Sequence, residues 1–159
     1  MMNEVSKRAR VLIVDDEKVI ASTLSTILKQ HGYETAVSFN GYDAVQLARH
    51  FRPELLLSDV CMPGIDGIET ARRILSFCPD CKVLLISGAP PGTKPFDNAG
   101  PSPVIFPLLP KPAHPREVLR MVALLLEASA SQAESLPNPS IRCDGEPSQP
   151  PQAASTFGR

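Results

Sequence analysis

Four short apolar runs, each with polar residues at its carboxyl end, constrain this chain more than any other feature. They are Val11-Leu12-Ile13-Val14 with Asp15-Asp16, Leu55-Leu56-Leu57 with Asp59, Val83-Leu84-Leu85-Ile86 with Ser87, and Val104 to Leu109 with Lys111-Pro112. A run without polar alternation reads as a strand buried on both faces, the pattern of a parallel sheet covered by helices. In an open parallel sheet the strands point one way and ligands gather outside their carboxyl ends. Three carboxylates, a hydroxyl and an ammonium are therefore expected to converge on one spot.

Helical patterns separate the strands. Val19, Ile20, Leu24, Ile27 and Leu28 recur at helical spacing, with Gly32 as a natural stop. Tyr33 to Phe39 alternates as a second strand. Asn40 can cap a helix that runs to Phe51, where Arg52-Pro53 breaks it. Pro63-Gly64 makes a turn, and Asp66 can cap a helix carrying Ile68, Ala71, Ile74 and Leu75. The fourth strand spans Lys82 to Ser87. The next helix, due between Gly88 and Val104, meets Pro90, Pro91, Pro95, Pro101 and Pro103. Proline costs about 3 kcal/mol inside a helix, so this helix is expected to be reduced or absent. Pro107 lacks an N–H and implies that the fifth strand lies at a sheet edge. Pro115 suits the first position of a last helix with Val118, Leu119, Val122, Leu125 and Leu126 on its apolar face.

From about Ser131 the chain turns to Pro, Ser, Gln, Ala and Gly with few large apolar residues. Such a stretch buries too little surface to offset its ordering entropy. The expected organisation is one α/β domain over 9–129 and a disordered tail over 130–159.

Length and composition narrow the function classes. The 159 residues suffice for one domain and a tail, and 43% hydrophobic content supports a core. A formal charge of -1 offers no basic field for nucleic acid. No apolar run approaches the ~18 residues of a membrane span, and Val11 to Val14 is too short for a signal peptide, so a cytoplasmic location is expected. Cys78 and Cys81 form one C-x-x-C pair, whereas a closed zinc site wants about four protein ligands. They read as two ordinary thiols in a turn. His31 and His50 fall near helix C-termini, where a cation is favourable, and His114 precedes the last helix.

Asp15, Asp16 and Asp59 suit Mg²⁺, a hard ion that takes oxygen ligands and substrate phosphate. Asp59 can also act as a nucleophile, since carboxylates form aspartyl phosphates. The Lys111 ammonium and the Ser87 hydroxyl would stabilise the transferring oxygens. Without a metal, three close carboxylates repel, and at least one is expected to have a raised pKa. Taken alone, Asp-Asp is also a common turn or helix cap, a role Asp16 could fill.

At these residues the chain resembles the receiver domains of two-component response regulators over roughly residues 9 to 128. The matching pieces are Val11 to Glu17, Leu57 to Gly67 with Met62-Pro63-Gly64, Ile86-Ser87-Gly88, and Leu109-Pro110-Lys111-Pro112. The resemblance implies a flavodoxin-like, doubly wound, five-stranded parallel sheet in the order 2-1-3-4-5. It implies that Asp59 takes a phosphoryl group from a sensor histidine kinase or a histidine phosphotransfer protein. Asp15, Asp16 and Asp59 would hold Mg²⁺ together with the Cys61 backbone carbonyl. Ser87 would be the switch hydroxyl, and Lys111 would pair with the acceptor or its phosphate through a cis Lys111-Pro112 bond. Leu108 stands where the family usually carries an aromatic switch residue, so ring rotation cannot relay the signal. Cys61 and Ala89 stand where the family tunes phosphate lifetime, and neither positions water well, which points to slow autodephosphorylation.

The function expected is that of a single-domain response regulator, not an enzyme beyond self-catalysed phosphoryl transfer. It would signal through contacts with an unknown downstream protein, without direct DNA binding and without a membrane. One alternative is a degenerate receiver that acts as a constitutive interaction module. Another is a Mg²⁺-dependent aspartyl phosphatase, which the adjacent Asp15 and Asp16 fit less well than an Asp-x-Asp strand end would.

Overall fold

In the computed structural model, which describes residues 7–89 and 106–133, the apolar runs form one sheet. The elements follow as β1 (Arg10–Val14), α1 (Lys18–Gln30), β2 (Glu34–Ser38), α2 (Gly41–Phe51) and β3 (Leu55–Asp59). Then come α3 (Gly67–Leu75), β4 (Lys82–Ser87), β5 (Leu108–Pro110) and α4 (Pro115–Ala133). The five strands are parallel in the order β2-β1-β3-β4-β5.

Strand periodicity sorts the core into two layers, because successive side chains face opposite sides. Leu12, Val14, Leu56 and Leu85 pack with Ala44, Val45 and Ala48 of α2 and Ala71 and Ile74 of α3. Val11, Ile13, Leu55, Leu57, Leu84 and Ile86 pack with Ala21, Leu24 and Leu28 of α1 and Val118 and Val122 of α4. Both faces are thus covered, and each fully buried Leu or Ile is worth about 1.5–3 kcal/mol.

The helix termini follow local chemistry. Asn40 and Asp66 accept the amides of Asp43 at 2.8 Å and Glu69 at 2.7 Å, as capping side chains do. Helix α1 stops before Gly32, whose φ of +89° is open to glycine at little cost. Glu17, not Asp16, occupies the cap position of α1, and the Glu17 amide is satisfied by Asp15 Oδ1 at 2.9 Å. His114 starts α4: its ring nitrogen accepts the Arg116 amide at 3.2 Å and its carbonyl accepts that of Val118.

Three boundaries shift. Strand β2 is shorter by Tyr33 and Phe39. Strand β5 begins at Leu108, after Pro107, whose carbonyl still accepts the Leu85 amide at 2.9 Å; the strand does lie at the sheet edge. Helix α4 continues past 129 to Ala133, because Ala is the best helix former and no proline intervenes before Pro137. The expectations for the reduced helix before Val104, for the start of the fifth run and for most of the tail lie outside the described residues.

Candidate functional site

The carboxyl rim of the sheet gathers the acidic residues. Asp59 ends β3, the central strand, and the ladder runs on through Val60 N–H to the Ile86 carbonyl at 2.9 Å. Asp15 follows β1 and is tied to β2 through the Ser38 carbonyl at 3.2 Å. Asp15, Asp16 and Asp59 each bring a carboxylate oxygen within 4.8 Å of the others. Asp15 and Asp59 are 3% and 6% exposed, whereas Asp16 is open to solvent.

Lys111 enters this cluster from β5. Its backbone amide extends the ladder to the Ser87 carbonyl at 2.8 Å. Its ammonium lies 3.1 Å from Asp15 Oδ2, 3.2 Å from Asp59 Oδ2 and 3.9 Å from Glu17 Oε1. The Lys111-Pro112 bond is cis. Asp16, Glu17, Asp59, Cys61, Ala89 and Lys111 line a cleft of about 250 Å³. Ser87 sits at the adjoining strand end, with its hydroxyl accepting the Ala89 amide at 3.2 Å.

Electrostatics bear out the expected raised carboxylate and add a larger cause. The Asp59 pKa is raised above the usual 3.8, but burial is the largest cause and the Asp15 charge a lesser one. Lys111 and the Cys61 amide pull it the other way. Burial alone would lower the Lys111 pKa, yet it is raised, because Asp15 and Asp59 together outweigh desolvation.

The donor set fits a hard divalent cation. Three carboxylates share one small volume while one ammonium reaches two of them, so negative charge is left over. Oxygen donors of this kind suit Mg²⁺, which keeps waters and takes phosphate oxygens. Among the described residues this is the one group of three such ligands.

Two residues of the site carried no assigned role in the sequence. Glu17 reaches Lys111, and the Asp-Asp-Glu run was its signal. Gly67 packs against the end of β3: a methyl group there would collide with the Asp59 carbonyl oxygen. By contrast, Cys78 and Cys81 lie in the core, away from this rim. The Cys81 amide bonds the Cys78 carbonyl at 3.1 Å, and burial pushes the Cys81 thiol up to about 12. His31 closes α1 and His50 lies in the last turn of α2.

A doubly wound sheet in this order, with an acidic cluster and a lysine at its carboxyl rim, defines a receiver-type signalling domain. The family model of the response regulator receiver domain matches residues 11–123, and the chain belongs to that family. It is 31% identical over 129 residues to the response regulator MprA of Mycobacterium sp. (strain KMS), covering 80% of this chain and 55% of that protein. The chain thus spans about half the length of this relative. Among solved structures it is similar to the signal receiver domain of an HD domain-containing protein from Pseudomonas fluorescens Pf-5. That match has a TM-score of 0.70 and 27% identity, over 79% of this chain and 99% of that one. A CheY-like receiver domain protein from Methanospirillum hungatei JF-1 shares the fold, with a TM-score of 0.69 and 23% identity over 79% and 99% of the two chains. Receiver domains in general are signalling modules that interact with histidine kinases or phosphotransfer proteins and hold Mg²⁺ in an acidic pocket. No helix among the described residues is long and apolar enough to cross a membrane.

Proposed function

We propose that this chain accepts a phosphoryl group on Asp59 from a histidine kinase or a histidine phosphotransfer protein and signals through protein contacts. The observation that carries this reading is the triangle of Asp59, Asp15 and Lys111, closed by contacts of 3.1 and 3.2 Å. Asp15, Asp16 and Asp59 would hold Mg²⁺ with the Cys61 carbonyl, and the ion would offset charge on the phosphoryl oxygens.

The chain's own groups do the rest. An Asp59 oxygen forms the new bond to phosphorus, and the donor nitrogen leaves with its electron pair. The Lys111 ammonium already touches the attacking carboxylate and is placed to follow the charge onto the phosphoryl group. The Ser87 hydroxyl accepts the Ala89 amide and so keeps its own hydrogen to donate to a phosphoryl oxygen.

Incubation with acetyl phosphate and Mg²⁺ tests the reading. Intact-protein mass should rise by one phosphoryl group, chelation should prevent the gain, and Asp59→Asn should abolish it. Gain of phosphate by Asp59→Asn would refute the assignment. Cys61 and Ala89 line the cleft without a side chain that aligns water, so the phosphoryl group should persist for minutes or longer after donor removal. Loss within seconds would contradict that.

The constitutive-module reading draws on one observation. Leu108 is 41% exposed at the β5 edge, where the family usually carries an aromatic switch. Phosphate uptake at Asp59 with a downstream contact that ignores it would favour that reading.

A further inference from the structure

At the end of the sheet away from the acidic cluster, Cys78 and Cys81 flank the turn between α3 and β4. The Cys81 amide donates to the Cys78 carbonyl at 3.1 Å across Pro79 and Asp80, the bond of a four-residue β-turn. Such a turn holds its end Cα atoms less than ~7 Å apart, and a disulfide spans about 4.4–6.8 Å. Pro79, with its fixed φ, suits the second position of the turn. Both cysteines are free thiols, each is 6% exposed, and both line one cavity of about 170 Å³. Burial pushes the Cys81 thiol up to about 12, and the Cys78 charge is the next largest cause, so the two sulfurs lie close together. Two thiols are too few for a closed zinc site, yet they are complete for a disulfide.

We propose that Cys78 and Cys81 form a peroxide-reactive dithiol that closes to an intramolecular disulfide in the folded chain. Arg10, Arg52, Glu54 and Asp80 wall the same cavity. Its volume admits hydrogen peroxide and is too small for a peptide disulfide, so the oxidant is a small hydroperoxide. Cys78 makes the first attack, because the thiolate is the nucleophile and burial keeps Cys81 protonated. A sulfur–oxygen bond forms at Cys78, the peroxide O–O bond breaks, and the departing hydroxide takes up the proton that Cys78 lost. The Cys81 sulfur then attacks the Cys78 sulfenic acid. The S–S bond forms, the S–O bond breaks, and the leaving hydroxide carries off the Cys81 proton as water. Two electrons pass from the two thiols to one peroxide, which leaves as two waters.

The test treats the full chain with hydrogen peroxide and quenches with catalase. Free thiols are then alkylated in denaturant, and the chain is digested with trypsin. Both cysteines fall in one peptide, Ile74 to Lys82. The expected product is that peptide without alkylation and lighter by two hydrogens, and dithiothreitol should restore two alkylatable thiols. The oxidised chain should unfold at a denaturant midpoint equal to or above that of the reduced chain, since the turn already has the needed span. In Cys81→Ser, Cys78 should stop at the sulfenic acid, which dimedone traps. Oxidation of Cys78 without Cys81, a disulfide from either to Cys61 or Cys143, closure in denaturant alone, or a midpoint lowered by oxidation overturns the inference. Mapping of the wild-type chain decides it, so a core cysteine variant that fails to fold does not rescue it.

Discussion

Strand β3 contributes five residues, all buried, whereas β5 contributes three, of which Leu109 alone is buried. The Asp59 carboxylate stands on the first and the lysine that meets it stands just beyond the second. The acid side of the site is therefore anchored in the centre of the sheet, flanked by paired strands on both sides. The ammonium side hangs on an edge with one paired neighbour. The carboxylate thus stands in the middle of the sheet and the ammonium at its margin.

That contrast predicts a gradient of mutational cost. Leu57→Ala, at 1% exposure between β1 and β4, should lower unfolding free energy by about 2–5 kcal/mol in a denaturant titration. A loss below about 1 kcal/mol would break the comparison at its strong end. Gly67→Ala should cost about 1–3 kcal/mol, because the new methyl meets the Asp59 backbone. It should also slow phosphate uptake by shifting the acceptor, whereas a variant with wild-type uptake would show that this contact does not position Asp59.

Asp59→Asn should raise the melting temperature by a few degrees at pH 7 in chelator. The folded-state pKa of Asp59 lies above 3.8 because burial opposes its charge, so ionisation in the folded state costs stability. That cost is absent below 3.8, where both states are protonated, and complete above the raised folded value. The advantage of the variant should therefore vanish on acidification, and an advantage independent of pH would point to another cause. Mg²⁺ should reverse the ranking at neutral pH by stabilising the wild type alone. The smallest effect belongs to Leu108→Ala, expected within about 0.5 kcal/mol because its side chain is exposed at the sheet edge.

The strands and caps were legible because each obeys a local rule. The unbroken apolar runs could hide only between two helical layers, and Asn40 and Asp66 each precede an amide that needs an acceptor. What escaped depended on distance through space. Burial of Asp59 contributes more to its shift than crowding by Asp15 does, and no spacing rule reports burial at a strand end. Glu17 stands at the cap of α1 while Asp15 accepts both its amide and the Lys111 ammonium, a contact across 96 residues that local rules do not reach. Helix α4 runs to Ala133 although Ser and Gln resemble tail composition, because the interleaved alanines sustain a helix.

The most direct test of the acidic cluster as phosphoacceptor is borohydride reduction of acetyl phosphate-treated protein followed by peptide mapping. An aspartyl phosphate is reduced to homoserine, so the account predicts homoserine at position 59, formed with Mg²⁺ and absent with chelator. Homoserine at position 15 or 16, or the same yield at 59 without a divalent cation, would contradict it.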